Sequence, residues 1–249
     1  MLPYKRPPIL EAIIDVQFKT ELSEATIAKI TRKLKQKYPV EQNAFKDVGV
    51  LVEIHDGGAR AHAINDKVTR GKRLESNDSE WVIILYPKQF SFIRLAPYSD
   101  WDEFFKEFNE FWNVFRKEQN SKTLSRLAVR YVNRIDIPTD KGVEAINIAD
   151  YLHVGVHTPQ GLIVDGYEAS FKVRVDDTSS AIIRTATHTK EIPNTAALLL
   201  DIDLFMHDGL PQKNDEILDR LNLLRKEKNN LFEKFISDKA RELFNREVK

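Results

Sequence analysis

Residues 81–119 read WVIILYPKQFSFIRLAPYSDWDEFFKEFNEFWNVFRKEQ, and this stretch decides the fold. Trp81–Tyr86 and Phe90–Leu95 are short runs rich in β-branched and aromatic residues on either side of Pro87-Lys88, the pattern of a hairpin. From Ser99 the period changes. Trp101, Phe104, Phe105, Phe108, Phe111, Trp112 and Phe115 recur at helical spacing beside Glu103, Glu107 and Glu110. Ser99 with Asp102 three residues on predicts a capping box at the helix start. An aromatic stripe this dense must be buried against a sheet, because exposed it would be an aggregation hazard. A base-stacking platform would interleave its aromatics with basic residues on a sheet or groove. Core packing is therefore the reading.

The same grammar extends outward in both directions. Leu10, Ala12, Ile14, Val16 and Phe18 alternate with Glu11, Asp15 and Gln17, which predicts a strand with one buried face. Ser23 reads as an N-cap ahead of Ile27, Ile30, Leu34 and Tyr38, with Pro39 as a stop. Strands are expected around Val48–Ile54 and Arg60–Asn65, turned by Asp56-Gly57-Gly58. Lys67 to Ser79 is polar and carries no clear period. In the second half Arg126–Ile137 is a long strand ended by Pro138, and a weakly helical patch covers Ile146–Leu152. Tyr167–Val175, Ala181–Thr189 and Ala197–Met206 read as strands, with turn signals at Asp176-Asp177 and Pro193-Asn194. From Asn214 a helix carries Ile217, Leu221, Leu224, Leu231 and Phe235, and Ser237 caps a last short helix with Leu243 and Phe244.

Consecutive strands with short turns imply antiparallel pairing, so the class is α+β. The expected organisation is two strand-helix-strands-helix halves, 1–119 and 120–249, with mainly antiparallel sheet covered by long amphipathic helices. No linker composition separates the halves, which favours tight packing or one continuous domain.

Composition removes several function classes. Across 249 residues Lys plus Arg and Asp plus Glu are 38 each, so the formal net charge is zero, and neither a basic nucleic-acid coat nor an acidic tail dominates. Hydrophobic residues make up 42%, too many for disorder. Cysteine is absent, which removes disulfides, iron–sulfur clusters, thiolate zinc sites and cysteine nucleophiles together. No apolar run reaches the roughly 18 residues of a membrane span, and the opening MLPYKRPPILEAIIDVQF carries charges where a signal peptide would not. The expected compartment is the cytoplasm. Phosphate-binding, dinucleotide-binding and serine-elbow glycine motifs do not occur. His153 and His157 have zinc-like spacing only on a helix, which Gly155 and Pro159 oppose. His55, His62, His188 and His207 are scattered.

Four segments, PPILEAIIDVQF (7–18), FSFIRLAPYSDW (90–101), RLAVRYVNRIDIP (126–138) and LLLDIDLF (198–205), together resemble the signatures of a sporadically distributed prokaryotic protein family of similar length. The resemblance spans essentially the whole chain. It implies an association with mobile-element or defence genes, and it brings no activity and no catalytic residue.

The most suggestive chemistry is a row of arginines. Arg126, Arg130 and Arg134 share one face of their strand, and Arg94, Arg174 and Arg184 are read as outward positions of others. Brought together, such guanidiniums suit phosphates. The bland reading makes Glu11, Asp15, Asp136, Asp201 and Asp203 their cross-strand ion-pair partners, which the zero net charge favours. Arg130 discriminates: paired, the row is structural; unpaired, it is an anion strip. Asp201 and Asp203 form an Asp-x-Asp able in principle to hold Mg²⁺, although the alternation of Leu200, Ile202 and Leu204 explains both as solvent-side residues. The expectation is a non-enzymatic binding or interaction protein without a cofactor, whose partner is a protein encoded nearby or a nucleic-acid segment. The alternative is an enzyme or binder acting on nucleic acid or a phosphorylated ligand through the arginine face.

Overall fold

Alternation along the strands sorts the chain into a wet face and a dry one, and the dry face is where every helix lies. The computed structural model describes residues 4–46, 50–55, 58–63, 69–119, 123–139, 146–155, 159, 164, 166–188 and 194–245. Its elements run β1 (Ile9–Phe18), α1 (Glu24–Leu34), β2 (Val40–Lys46), β3 (Val50–His55), β4 (Gly58–Ala63), β5 (Thr69–Glu75), β6 (Trp81–Tyr86), β7 (Gln89–Leu95) and α2 (Trp101–Glu118). Then follow β8 (Leu124–Pro138), a 3₁₀ turn (Ile148–Asp150), β9 (Glu168–Arg174), β10 (Ser179–His188), β11 (Thr195–Met206), α3 (Asn214–Phe235) and α4 (Asp238–Asn245). Nine strands form one sheet in the order β2-β5-β6-β7-β1-β8-β11-β10-β9, while β3 and β4 pair separately. Every pairing is antiparallel. The fold is α+β, dominated by its sheet. Across the expected break near residue 120, β1 pairs directly with β8, with Asp15 opposite Ala128, so the sheet runs through it uninterrupted.

The helix-side face carries Ala12, Ile14 and Val16 of β1, Phe90 and Phe92 of β7, Val129 and Tyr131 of β8, and Leu200, Ile202 and Leu204 of β11. Against it pack Ile27, Ile30 and Leu34 of α1, the aromatic stripe of α2, Leu221, Leu224 and Phe232 of α3, and Ala240 and Phe244 of α4. Phe90 meets Phe111 edge-on at 4.9 Å and Phe92 meets Phe108 edge-on at 5.8 Å, geometries that suit the ring quadrupole. Ser23 caps α1, accepting the Thr26 N–H at 3.1 Å. Ser237 accepts the Ala240 N–H at 3.2 Å ahead of α4.

Several expectations need correction. The cap of α2 is Asp100, whose carboxylate accepts the Glu103 N–H at 2.8 Å, and Ser99 instead donates to the Glu103 carboxylate. The first strand is not dry on one side only. Ile13 packs with Val82 and Ile93 on the far face, and Asp15 is buried beside it, because β1 sits mid-sheet with neighbours on both flanks. The polar stretches 40–46 and 69–75 are strands, one of them the sheet edge, where solvent on one flank tolerates polar residues. The helical patch at 146–152 shrinks to the single 3₁₀ turn. The Asp56-Gly57 turn, Pro193 and His157 lie outside the described residues.

Candidate functional site

The arginine row is real, and the described geometry spends its charges on carboxylates of the sheet. Arg130 forks onto Asp201 through Nε and Nη2, both at 2.8 Å, and Arg184 reaches the same carboxylate at 3.0 Å. Arg126 bridges Asp15 at 2.8 Å and Asp203 at 2.6 Å while lying 4.5 Å above the Phe205 ring. Asp15 also accepts from Gln89 at 2.5 Å and Ser91 at 2.7 Å, so β7, β1, β8 and β11 are tied by one network. Register accounts for the Arg184 pair, since Asp201 stands opposite Arg184; Asp203 stands opposite Arg130, so Arg130 reaches diagonally to Asp201 and Arg126 reaches along the strand to Asp203. Arg134 turns onto Asp136 of its own strand at 2.8 Å. Arg130 keeps its full charge, held further up by the surrounding carboxylates of Asp201, Asp203 and Glu11 against the opposing pull of burial.

Two site residues lie elsewhere. Arg94 is not an outward residue. It stands opposite Ala12 and Trp81 in register, faces the helix layer, stacks 4.7 Å from the Trp81 ring and pairs with Glu80. Arg174 is exposed on the outer strand β9, with no ion pair among the described residues, and lines the same surface pocket as the Asp176 carboxylate. That carboxylate is held down to about 2, first by the Ser179 hydroxyl and then by the Thr178 N–H. Asp201 and Asp203 are buried rather than solvent-side, covered by the arginines they hold. Among the described residues no three His, Asp or Glu side chains converge as a metal site. Exposed His153 and His207 add nothing to the network.

A second location was invisible to motif reading. Between α3, the β1–β8 seam and the segment Tyr98–Trp101 lies a cavity of about 220 Å³. Its floor is Tyr131 and Asn133 of β8, its walls include Trp101 and Phe232, and Tyr4 and Pro7 close it from the N-terminal side. Lys228 reaches into it from α3. The side chain is 3% exposed, and Nζ lies 3.5 Å from the centre of the Tyr131 ring. Among the described residues no carboxylate or other acceptor bonds it. Glu233, the nearest acid by charge, is engaged by the Tyr4 hydroxyl at 2.8 Å and Arg241 Nε at 3.0 Å. Burial, reinforced by the neighbouring Arg225 guanidinium, pushes the Lys228 amine well below its usual range. The hydroxyls of Tyr98 and Tyr131 bond one another at 3.0 Å, and burial raises both phenols, Tyr98 to about 12.

The signal for Lys228 was present in the sequence. Ile217, Leu221 and Leu224 set the buried stripe of α3, and the next step of four falls on a lysine. Buried Phe232 follows it in the stripe, whereas Leu231 and Phe235 are only half-buried. No protein-family model matches this chain, and no curated protein matches it. Among the described residues no helix is long and apolar enough to cross a membrane.

Proposed function

We propose that the chain is a binding protein whose ligand is a small, flat molecule seated in the Lys228 cavity, with a hydrogen-bond-accepting oxygen at its buried end. The observation that carries this reading is a buried lysine amine aimed into a cavity with aromatic walls and no acceptor of its own. Such a group is costly to keep unpaired, and a ligand oxygen would satisfy it. An apolar cavity of roughly 150 Å³ suffices for benzene, so one of about 220 Å³ has room for a single substituted ring. The arginine network supports a structural role for the sheet's other face, because Arg126, Arg130 and Arg184 already hold carboxylates. The nucleic-acid alternative therefore lacks free guanidiniums at its centre.

The family resemblance, its link to mobile-element or defence genes, a nearby-encoded protein partner and a cytoplasmic setting stand as parts of the same proposal. So does the organisation in two halves. It is supported by the sheet order, in which β1 pairs with β7 and β8 with β11, while β1 and β8 pair with each other.

The test is calorimetric titration of the protein with benzoate, benzamide and phenol. Saturable one-to-one binding by at least one probe, lost in Asn229→Trp, which puts a bulky ring at a cavity-lining position, is expected. Failure of all three to bind the wild-type chain at millimolar concentration sinks the reading.

A further inference from the structure

We propose that Lys228 captures a small aldehyde or ketone as an imine on its Nζ, an inference that rests on the cavity being a ligand site and names the ligand's reactive group. Three features of the site lead there. The amine is largely buried: Tyr131 lies against it and Phe232 flanks it, and this burial disfavours its ammonium form. It has no direct ion-pair partner: the Glu233 carboxylate acts on it only through charge and is already shared by Tyr4 and Arg241. It also has a cation as neighbour, Arg225, which lines the same cavity. A hydrophobic wall and an adjacent positive charge are the two devices that leave a lysine as a free amine and hence a nucleophile. The groups facing it from the packed elements are Arg225 and Glu233 of α3, Asp100 at the start of α2, Tyr98, Tyr4 and Tyr131. None of these places a carboxylate in ion-pairing reach of Nζ.

The chemistry balances without any further reagent. The Nζ lone pair adds to the carbonyl carbon, giving a carbinolamine. Its hydroxyl leaves with a proton as water, and the remaining N–H proton is shed to form the neutral C=N bond. The Tyr98–Tyr131 hydroxyl pair borders the cavity and can relay the proton to the departing oxygen. Hydrolysis reverses the sequence, so capture is covalent and reversible.

Reductive trapping tests the proposal on the wild-type protein. The chain is incubated with substoichiometric benzaldehyde and sodium cyanoborohydride at pH 7, digested, and mapped by mass spectrometry. Lys228 is expected to carry the benzyl label about tenfold or more ahead of exposed Lys213, because an ordinary lysine has only about 1 in 2,500 of its amines unprotonated at pH 7. Lys228→Met is expected to remove that label and keep the surface background. Label on surface lysines with Lys228 unmodified overturns the imine. If benzoate still binds in that case, the ligand site survives and only the carbonyl chemistry falls; if neither probe engages, both fall. The wild-type map decides the matter even where the variant does not fold.

Discussion

Removing Asp201 should expose how the sheet's second face is held. Asp201 is 7% exposed and accepts three guanidinium bonds, at 2.8, 2.8 and 3.0 Å, from Arg130 and Arg184. Breaking a fully buried ion pair costs about 3–5 kcal/mol, because the surviving charge is stranded. An exposed pair is worth about 0–1 kcal/mol. This site falls between, since the Arg130 and Arg184 side chains are 36% and 41% exposed and can turn to water once released. For Asp201→Ala we therefore expect a loss of about 2–3 kcal/mol, an intermediate between those limits. In a chain of this size that lowers Tm by roughly 4–12 °C. Urea unfolding measures it as a lower midpoint with an unchanged slope. Arg184→Ala should cost less than about 1 kcal/mol, because the Arg130 fork remains on the carboxylate. A loss below about 0.5 kcal/mol for Asp201→Ala, the size of an ordinary surface change, refutes the structural reading of the row.

Other perturbations follow from the same geometry. Phe108 is fully buried among Phe92, Phe111 and Trp112, so Phe108→Ala should lose about 3–5 kcal/mol in urea unfolding. An unchanged melting temperature would remove α2 from the core. Asp100→Ala should cost about 1 kcal/mol through the lost cap, and Ser99→Ala distinctly less; the reverse order would restore Ser99 as the cap. Lys228→Met should stabilise the chain at neutral pH, and its advantage should shrink as pH rises toward 10. The folded lysine gives up its proton below the ordinary value of 10.5, so between those values the unfolded chain binds more protons and wild-type stability climbs with pH. A pH-independent gap between wild type and variant in melting scans from pH 6 to 9.5 would contradict this.

Local periodicity made much of the fold legible. The α2 stripe and the alternation of β8 and β11 announce themselves because each is amphipathic over many residues. β2 and β5 escaped since VEQNAFK and TRGKRLE owe their strand form to pairing within the sheet, not to an apolar pattern. The outward position expected of Arg94 fails on parity: it alternates in step with Phe90 and Phe92, so it shares their side. The burial of Asp15, Asp201 and Asp203 could not be read from any one strand. It arises from long side chains arriving from neighbouring strands, which is tertiary information. The cavity around Lys228 joins residues from the chain's opening, middle and close, so only the stray lysine in the α3 stripe hinted at it.

The β1–β8 ladder also has a consequence for the chain while it is being made. β1 is made before both of its neighbours, and β7 can zip onto one of its edges, but its other edge has no partner until β8 follows. At about 5–20 residues per second, the roughly 110 residues between them keep that edge waiting for about 6–22 s. A bare edge is a template for a second nascent copy. During the wait Asp15 is a carboxylate without Arg126, and a second β1 laid antiparallel with Asp15 opposite Asp15 would set two like charges face to face, which disfavours that pairing. The residue that fastens the finished seam thus also carries a charge that opposes this one mispairing.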